Sequence, residues 1–421
     1  MVNTKLYDPT RRVIFFDNLR YLMVLLVLIF HSAASYSTMV AFWPFHEANS
    51  TEILDILMIL FDTFMMPILF FIAGYFALSS IQKAGGWRFL KSKLVRLGVP
   101  WFVLTVFVLP VLDYIHYYSQ ASTSGTVIHS LATHWLLSMK TLGSMYVGAM
   151  DMSRYFTMTE QFYQRYLWFL SLLLLFSVVF LLLYKARNKW VESPSRKVKE
   201  TKASNKSIYG TLLFVGILTV ILYILTYVFL SPDMGWFSLG NIIQFQPTKL
   251  VFFISYFSLG VYAFSRKWFT NGTDFGRPWV WFIIWFLLAG GNLLVGRSII
   301  RLGEHSLGLQ LAFGIIYPLW SLSALGLFIA FAARRWNRPR PFDQALASNS
   351  YNMYLVHYVF PMTLPLLLSF WSSGPILVKF GIVALATILL SYVISRYVVS
   401  AYPRLTILGI IVIFVILLLI L

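Results

Sequence analysis

The stretch FFDNLRYLMVLLVLIFHSAASY, residues 15–36, is apolar, is long enough to cross a bilayer, and carries two ionisable side chains on one helical face. Arg20 and His31 stand eleven residues apart, which is about three turns of an α-helix and roughly 16 Å along its axis. Ionisable groups at membrane depth are costly and are therefore functional candidates. The stretch predicts a membrane helix that carries chemistry.

The composition extends this prediction to the whole chain. Of the 421 residues, 59% are hydrophobic and 11% are charged, with a mean hydropathy of +0.75, whereas soluble domains carry about 25% charged residues. We expect an all-α, polytopic membrane helix bundle that forms a single domain over residues 1–421. The chain contains no cysteine, which excludes a disulfide framework, a thiolate metal site and a cysteine nucleophile. No metal site is predicted.

Apolar windows of about 20 residues predict about 10–11 transmembrane helices. These windows are residues 18–40, 52–80, 94–118, 166–186, 208–230, 248–265, 278–296, 309–333, 346–370, 375–400 and 405–421.

The placement of positive charge tests this topology. With a cytoplasmic N-terminus and alternating helices, the inner segments hold 26 of the 33 Lys and Arg residues, as the positive-inside rule requires. The net charge of +18 follows these inner segments, among them a basic cytoplasmic linker at 187–207 that lies near anionic lipid. Nucleic-acid binding is therefore not expected. The seven remaining cations are Lys140, Arg154, Arg165, Lys249, Arg297, Arg301 and Lys379.

Three ionisable residues fall at similar depth, near the middle of the membrane. Counted from the helix starts, His31, Asp62 and His357 each lie about ten to thirteen residues into a predicted span. Burying each of them alone is unfavourable, so mutual pairing or a water-filled cavity is expected. They are candidate catalytic residues, and structural hydrogen bonds between helices are the alternative.

Further candidates lie toward the two membrane surfaces. Asp17 and Arg20 can form an i,i+3 ion pair, which either caps the helix or holds the guanidinium for a phosphate. The predicted inner loop at 83–101 contains a basic cluster that consists of Arg88, Lys91, Lys93 and Arg96. This cluster suits a phosphate-rich ligand, although the positive-inside rule alone also explains it. Candidate acceptor-binding residues, several of which would serve equally as interfacial anchors, are Trp168, Arg297, Arg301, Glu304 and Tyr354.

Six segments in order resemble the bacterial acyltransferase-3 integral membrane family. Asp17-x2-Arg20-x10-His31-Ser32 is similar to the signature of the family's first helix, and Lys93-x2-Arg96-Leu97-Gly98-Val99-Pro100 to its basic element. The remaining segments are PILFFIAGYF at 67–76, LWFLSLLL at 167–174, YFSLGVYAF at 256–264 and SYNMYLVH at 350–357. The opening is also similar to the branch that succinylates periplasmic glucans.

The resemblance implies a multi-pass enzyme of the bacterial inner membrane that moves an acyl group, acetyl or succinyl, from cytoplasmic acyl-CoA to a hydroxyl. The acceptor of that group would be extracytoplasmic, often a carbohydrate or lipid-linked glycan. The family's essential arginine and histidine correspond to Arg20 and His31. Acyl-CoA is then a co-substrate, and no permanently bound cofactor is expected. Some members add a C-terminal SGNH hydrolase-like domain, which we do not expect here.

Acyl transfer to a hydroxyl needs a base, for which His31 is the best candidate, and a partner such as Asp62 would tune it. His357 would bind the acceptor or orient the base. Arg20 and the basic cluster would hold the CoA phosphates. Direct transfer and an acyl-histidine intermediate both remain open. Two other classes also fit, namely a proton-coupled secondary transporter that uses the buried ionisable residues as a relay, and a membrane sensor or assembly protein.

Overall fold

Helices dominate the part of the chain that the computed structural model describes, which comprises residues 13–40, 43, 45–124, 128–151, 162–191, 204–230, 235–269, 275–301 and 306–421. Ten helical stretches are long and apolar enough to cross a membrane, so the predicted all-α polytopic bundle is confirmed. They are Ile14–Tyr36, Glu52–Ala84, Gly86–Tyr118, Arg165–Arg187, Asn205–Phe229, Pro247–Ser265, Pro278–Ile299, Leu307–Arg335, Ile376–Val399 and Pro403–Ile420.

The individual helices are numbered in chain order. They are α1 Ile14–Ala33, α2 Glu52–Asp62, α3 Met65–Ala84, α4 Gly86–Lys93, α5 Val99–Val103, α6 Leu109–Ser124, α7 Leu131–Gly143, α8 Trp168–Val191, α9 Asn205–Phe229, α10 Pro247–Ser265, α11 Pro278–Arg301, α12 Leu307–Arg335, α13 Pro341–Val356, α14 Val359–Leu368, α15 Ile376–Ile394 and α16 Pro403–Ile420. Wider π turns at Leu94–Gly98, Leu104–Val108 and Ser395–Val399 continue α4, α5 and α15. Of the predicted linker at 187–207, residues 192–203 lie outside the described residues.

The span predicted at 346–370 is divided into α13 and α14 by a break at His357 and Tyr358. The cause is Pro361, which has no N–H to donate to the carbonyl of His357 four residues earlier. The N–H of Phe360 donates to that carbonyl instead, at 3.0 Å. The break places His357 at a helix end inside the bundle.

Helix α1 is central and packs against α13, α15 and α3. Its N-terminal half is tied to α13 and to the end of α12, because the Tyr21 hydroxyl donates to Asp343 at 2.6 Å and the Asn18 amide donates to the carbonyl of Trp336, the residue after α12, at 2.8 Å. These bonds fix the rotation of α1 and therefore the direction in which His31 points.

Helices α3 and α10 touch backbone to backbone through two glycines. A Cβ added at Gly74 would lie 2.0 Å from the Phe257 carbonyl oxygen, and one at Gly260 would lie 2.1 Å from that of Phe71. Only glycine allows this approach, which brings the start of α10, with Lys249, close to α2 and Asp62.

A small cap lies on the predicted outer side of the bundle. It consists of α7 and a three-stranded antiparallel sheet in the order β1 Val147–Met150, β2 Trp236–Leu239 and β3 Ile243–Phe245. Val147 pairs with Leu239, which pairs with Ile243. The sheet therefore joins two loops that are about 90 residues apart in the sequence, and nothing in the sequence predicted it.

Candidate active site

A central cavity of about 330 Å³ lies at the C-terminal end of α1. Its polar lining combines ionisable and amide side chains, namely His31, Asp62, Arg165, Gln244, Gln246 and Lys249. Its aromatic lining comprises Trp43, Tyr163, Tyr166, Trp168, Trp236, Tyr354 and Tyr358, together with Phe30 and Phe253. A cavity of this size, mostly apolar with a few convergent polar groups, is typical of a small-molecule site.

Two predicted residues, His31 and His357, meet at this cavity. Nε2 of His357 lies 3.1 Å from Nδ1 of His31. The His357 side chain is fully buried, whereas His31 is half-buried and lines the cavity. The two residues therefore form a hydrogen-bonded dyad in which only His31 faces a ligand.

The hydrogen bonds of His357 determine the tautomers of both rings. Nδ1 of His357 lies 2.6 Å from the Tyr354 carbonyl oxygen, and a carbonyl only accepts, so this nitrogen carries the proton. In the neutral ring Nε2 is then an acceptor, and Nδ1 of His31 must be the donor to it. With Nδ1 as the donor, the lone pair of the neutral His31 ring is on Nε2.

Asp62 lines the same cavity but pairs with another residue. Its carboxylate accepts a short hydrogen bond from the Lys249 ammonium, so the ionisable partner of His31 in the structure is His357. The Lys249 side chain is about one quarter exposed and the Asp62 side chain about one third. This leaves an ion pair, accessible from the cavity, on the wall that α2 and α10 share.

Arg165 occupies a strained position on the cavity wall. Its φ is +54°, in the left-handed region that a residue with a Cβ seldom adopts, and its Nη2 donates to Asp113 at 2.7 Å. The buried side chain of the preceding residue, Gln164, accepts from the Trp101 indole at 2.8 Å and donates to the Asn241 carbonyl at 3.0 Å. Strain of this kind persists where the surroundings over-determine it, and it is common at functional sites.

Arg20 lies at the opposite end of α1 from the cavity. Its Nη2 donates to Asp17 at 2.9 Å, which confirms the predicted i,i+3 pair, and its side chain is 37% exposed. Phe16, near the start of α1, packs on Tyr75 in the middle of α3, with ring centroids 4.8 Å apart, and the second half of α3 therefore runs on past that end of α1. Because α4 begins two residues after α3 ends, the predicted basic cluster lies on the same side of the bundle as Arg20.

Within that basic cluster, Arg88, Lys91 and Arg96 are exposed. Lys93 is half-buried, with its ammonium 5.5 Å from the centroid of the Phe89 ring. The carbonyl of Arg96 accepts a hydrogen bond from the Tyr351 hydroxyl, which links the cluster to α13 and so to the helix that leads to His357.

The predicted acceptor-binding residues divide into two groups. Trp168 and Tyr354 line the cavity; Trp168 stacks on Phe253 with centroids 5.5 Å apart, and the Tyr354 hydroxyl donates to the Tyr166 carbonyl. Arg297 is exposed on α11 and does not line the cavity. The Arg301 side chain and Glu304 lie outside the described residues. Among the described residues, no group of three or more His, Asp and Glu is placed to hold a metal ion.

Lys249 and Arg165 were not predicted as site residues, although the distribution of positive charge in the sequence carries a signal for both. Both belong to the seven cations that violate the charge bias. A third, Lys379, is buried and pairs with Glu47 at 3.0 Å. A Lys or Arg that departs from the positive-inside bias is therefore as good an indicator of a functional site as a histidine within a predicted membrane helix.

Comparison with known proteins agrees with the sequence resemblance. A family model described as an acyltransferase domain matches residues 13–396, nearly the whole chain. No curated protein and no solved structure shows significant similarity to the chain.

Proposed function

The chain belongs to the membrane acyltransferase-3 family, and on that premise we propose that it moves an acetyl or succinyl group from cytoplasmic acyl-CoA to a carbohydrate hydroxyl on the other side of a bacterial inner membrane. Membership of an acyltransferase family makes the chain an enzyme and disfavours the transporter and sensor alternatives. The observation that carries the proposal is the His31–His357 dyad, in which His31 lines the central cavity.

The dyad suits general-base catalysis. Nε2 of His31 takes the proton of the acceptor hydroxyl as the hydroxyl oxygen bonds to the thioester carbonyl carbon. The hydrogen bond to His357 stabilises the imidazolium that forms and holds the ring in position, as the third group of a catalytic triad does. When the C–S bond breaks, His31 returns the proton to the leaving thiolate.

The cavity lining suits a carbohydrate acceptor. Trp168 and Trp236 lie edge to face with centroids 5.5 Å apart, and such rings offer apolar faces to the C–H surface of a sugar. Gln244, Gln246 and the Asp62–Lys249 pair line the same space and can hydrogen bond to hydroxyls. A neutral, multiply hydroxylated acceptor matches this mixture better than a purely apolar chain does.

The donor would enter from the side of Arg20. Exposed guanidinium and ammonium groups on one surface bind phosphates well, and CoA carries three phosphate groups at one end of a long flexible arm. With the phosphates near Arg20 and the basic cluster, the thioester would extend along α1 toward His31, which lies about three helical turns away.

Mass spectrometry of cell-surface glycans tests the proposal. Cells that produce the wild-type protein should carry glycans heavier by one acyl group than cells that produce His31→Ala at the same membrane level. The mass difference identifies the acyl group. Identical glycan masses in the two strains would contradict the proposed function.

A further inference from the structure

The segment that follows α1, which the structure describes at residues 37–40, 43 and 45–51, is anchored on both sides of Trp43. Near its start, the Asp55 carboxylate accepts hydrogen bonds from the Ser37 hydroxyl at 2.6 Å and from the Thr38 N–H at 2.7 Å. Near its end, Glu47 pairs with Lys379, whose side chain is 1% exposed. Trp43 lies between these anchors, so its position relative to α1 is constrained from two sides.

Trp43 packs directly on the proposed base. Its ring is nearly parallel to that of His31, with centroids 6.2 Å apart and an interplanar angle of 23°. It also meets Tyr358 edge to face at 5.6 Å. The side chain is 7% exposed and lines the central cavity.

The indole N–H of Trp43 is buried and has no hydrogen-bond acceptor in the part of the chain that the structure describes. Leaving a buried donor unpaired costs about 1–3 kcal/mol, and such a group in a native structure calls for an explanation. Here the donor belongs to a ring that contacts the base and borders the substrate cavity.

We propose that the Trp43 indole N–H donates a hydrogen bond to the oxyanion that forms during acyl transfer, which makes Trp43 a catalytic residue of the proposed reaction. As the acceptor oxygen bonds to the thioester carbon, the carbonyl π electrons move onto oxygen, and His31 holds the hydroxyl proton. The oxyanion accepts from the indole N–H. The pair of electrons returns when the C–S bond breaks, and the thiolate leaves with the proton from His31.

This assignment explains why the segment is anchored so firmly. Oxyanion donors are effective because they are positioned before the charge develops and need little reorganisation. The Asp55 bonds and the buried Lys379–Glu47 pair supply that positioning. The N–H is shielded in this structure, so a small rotation of the indole accompanies binding of the acyl group, before any charge develops, while the anchored backbone stays in place.

Two replacements of Trp43 separate the N–H from the ring. Trp43→Phe keeps an aromatic ring on His31 without the donor, and 3-benzothienylalanine, incorporated at position 43, replaces the N–H by sulfur with almost the same shape. Each is compared with wild type in lipid nanodiscs, using radiolabelled acetyl-CoA and succinyl-CoA with a β-glucan oligosaccharide as probes. We expect kcat to fall by about 10²-fold in both variants, with KM for acyl-CoA changed by less than about threefold.

A matched control is Trp320→Phe. Trp320 is fully buried on α12, its indole N–H likewise has no partner among the described residues, and it does not line the cavity. This variant should keep the wild-type kcat. If Trp43→Phe and the benzothienyl variant also keep it while His31→Ala is inactive, the oxyanion role is wrong but the proposed function stands. If His31→Ala retains wild-type transfer, the proposed function itself is wrong.

Discussion

Two pairs of neighbouring histidine rings lie in the described part of the chain, and their surroundings differ. His31 and His357 share a hydrogen bond, and His31 lines the central cavity. His129 and His134 stack with centroids 6.1 Å apart, and neither lines that cavity. We call these the central pair and the α7 pair.

The difference shows what makes a buried histidine chemically useful. In the central pair, the Tyr354 carbonyl determines which nitrogen of His357 carries the proton, and His357 in turn determines which nitrogen of His31 carries it. In the α7 pair, both ring nitrogens of His134 are buried without a hydrogen-bond partner among the described residues. Burial alone is common to both pairs, whereas a directed chain of hydrogen bonds that ends at a cavity is found only in the central one.

Removing one ring from each pair should produce the largest difference in activity between the central pair and the α7 pair. His31→Ala should lower kcat for acyl transfer by about 10³-fold or more, because loss of a general base costs about 10²–10⁴-fold and cavity water substitutes poorly. His134→Phe should change kcat by less than about twofold. Initial rates of label transfer from acyl-CoA, at equal amounts of folded protein, decide between these outcomes; comparable losses in both variants would remove the distinction.

The second test concerns the orienting ring of the central pair. His357→Ala should lower kcat by about 10–100-fold, by analogy with the loss of the groups that orient metal-bound histidines. His357→Gln should lose less, because the amide oxygen can still accept from Nδ1 of His31. The order wild type, Gln, Ala in kcat supports the tautomer assignment, and equal activity of the Ala and Gln variants would count against it.

The third test addresses the ion pair beside the α7 pair. The Arg165 side chain is 3% exposed and neutralises Asp113. Arg165→Met should lower the free energy of unfolding by up to about 3 kcal/mol, the lower end of the range for buried ion pairs, because it leaves the half-buried Asp113 carboxylate without this partner. The double variant Arg165→Met/Asp113→Leu should recover most of the loss, as measured by Tm in detergent. A double variant no more stable than the single one would contradict the reason given.

The smallest expected effect concerns the α7 pair, which should make the thermal stability of the protein depend on pH. Burial, with added repulsion from His129 and Arg165, lowers the pKa of His134 from 6.5 to about 4. Below pH 6.5 the unfolded chain therefore takes up a proton that the folded protein excludes. His134 should therefore leave the free energy of unfolding unchanged above about pH 6.5 and lower it progressively as the pH falls toward 4. Tm measured across this range should fall less steeply for His134→Phe than for wild type, and parallel curves would refute this origin.

The sequence was informative about depth along a helix and uninformative about rotation and pairing. Counting residues into each apolar window put His31 and His357 at one level, and the i,i+3 pair of Asp17 and Arg20 follows from helix geometry. That the two rings meet at 3.1 Å depends on how α1 is rotated by its bonds to α12 and α13. Those bonds join residues more than 300 positions apart, and no local pattern encodes them.

The partner of Asp62 was missed for a related reason. Lys249 approaches Asp62 because Gly74 and Gly260 let α3 and α10 touch, and this close packing is visible only once both helices are placed. The three-stranded sheet of the cap was even less predictable, because β1 and β2 pair although they are about 90 residues apart in the sequence. Each strand is three or four residues long, too short to give a periodic signal.

A double-mutant cycle on the central pair tests the main claim most directly, namely that His31 and His357 act as one catalytic unit. The measured quantity is kcat for acyl transfer in wild type, His31→Ala, His357→Ala and the double variant. Because His357 acts through His31, we expect the double variant to be no slower than His31→Ala alone. Losses that multiply, with the double variant a further 10-fold or more below His31→Ala, would contradict it.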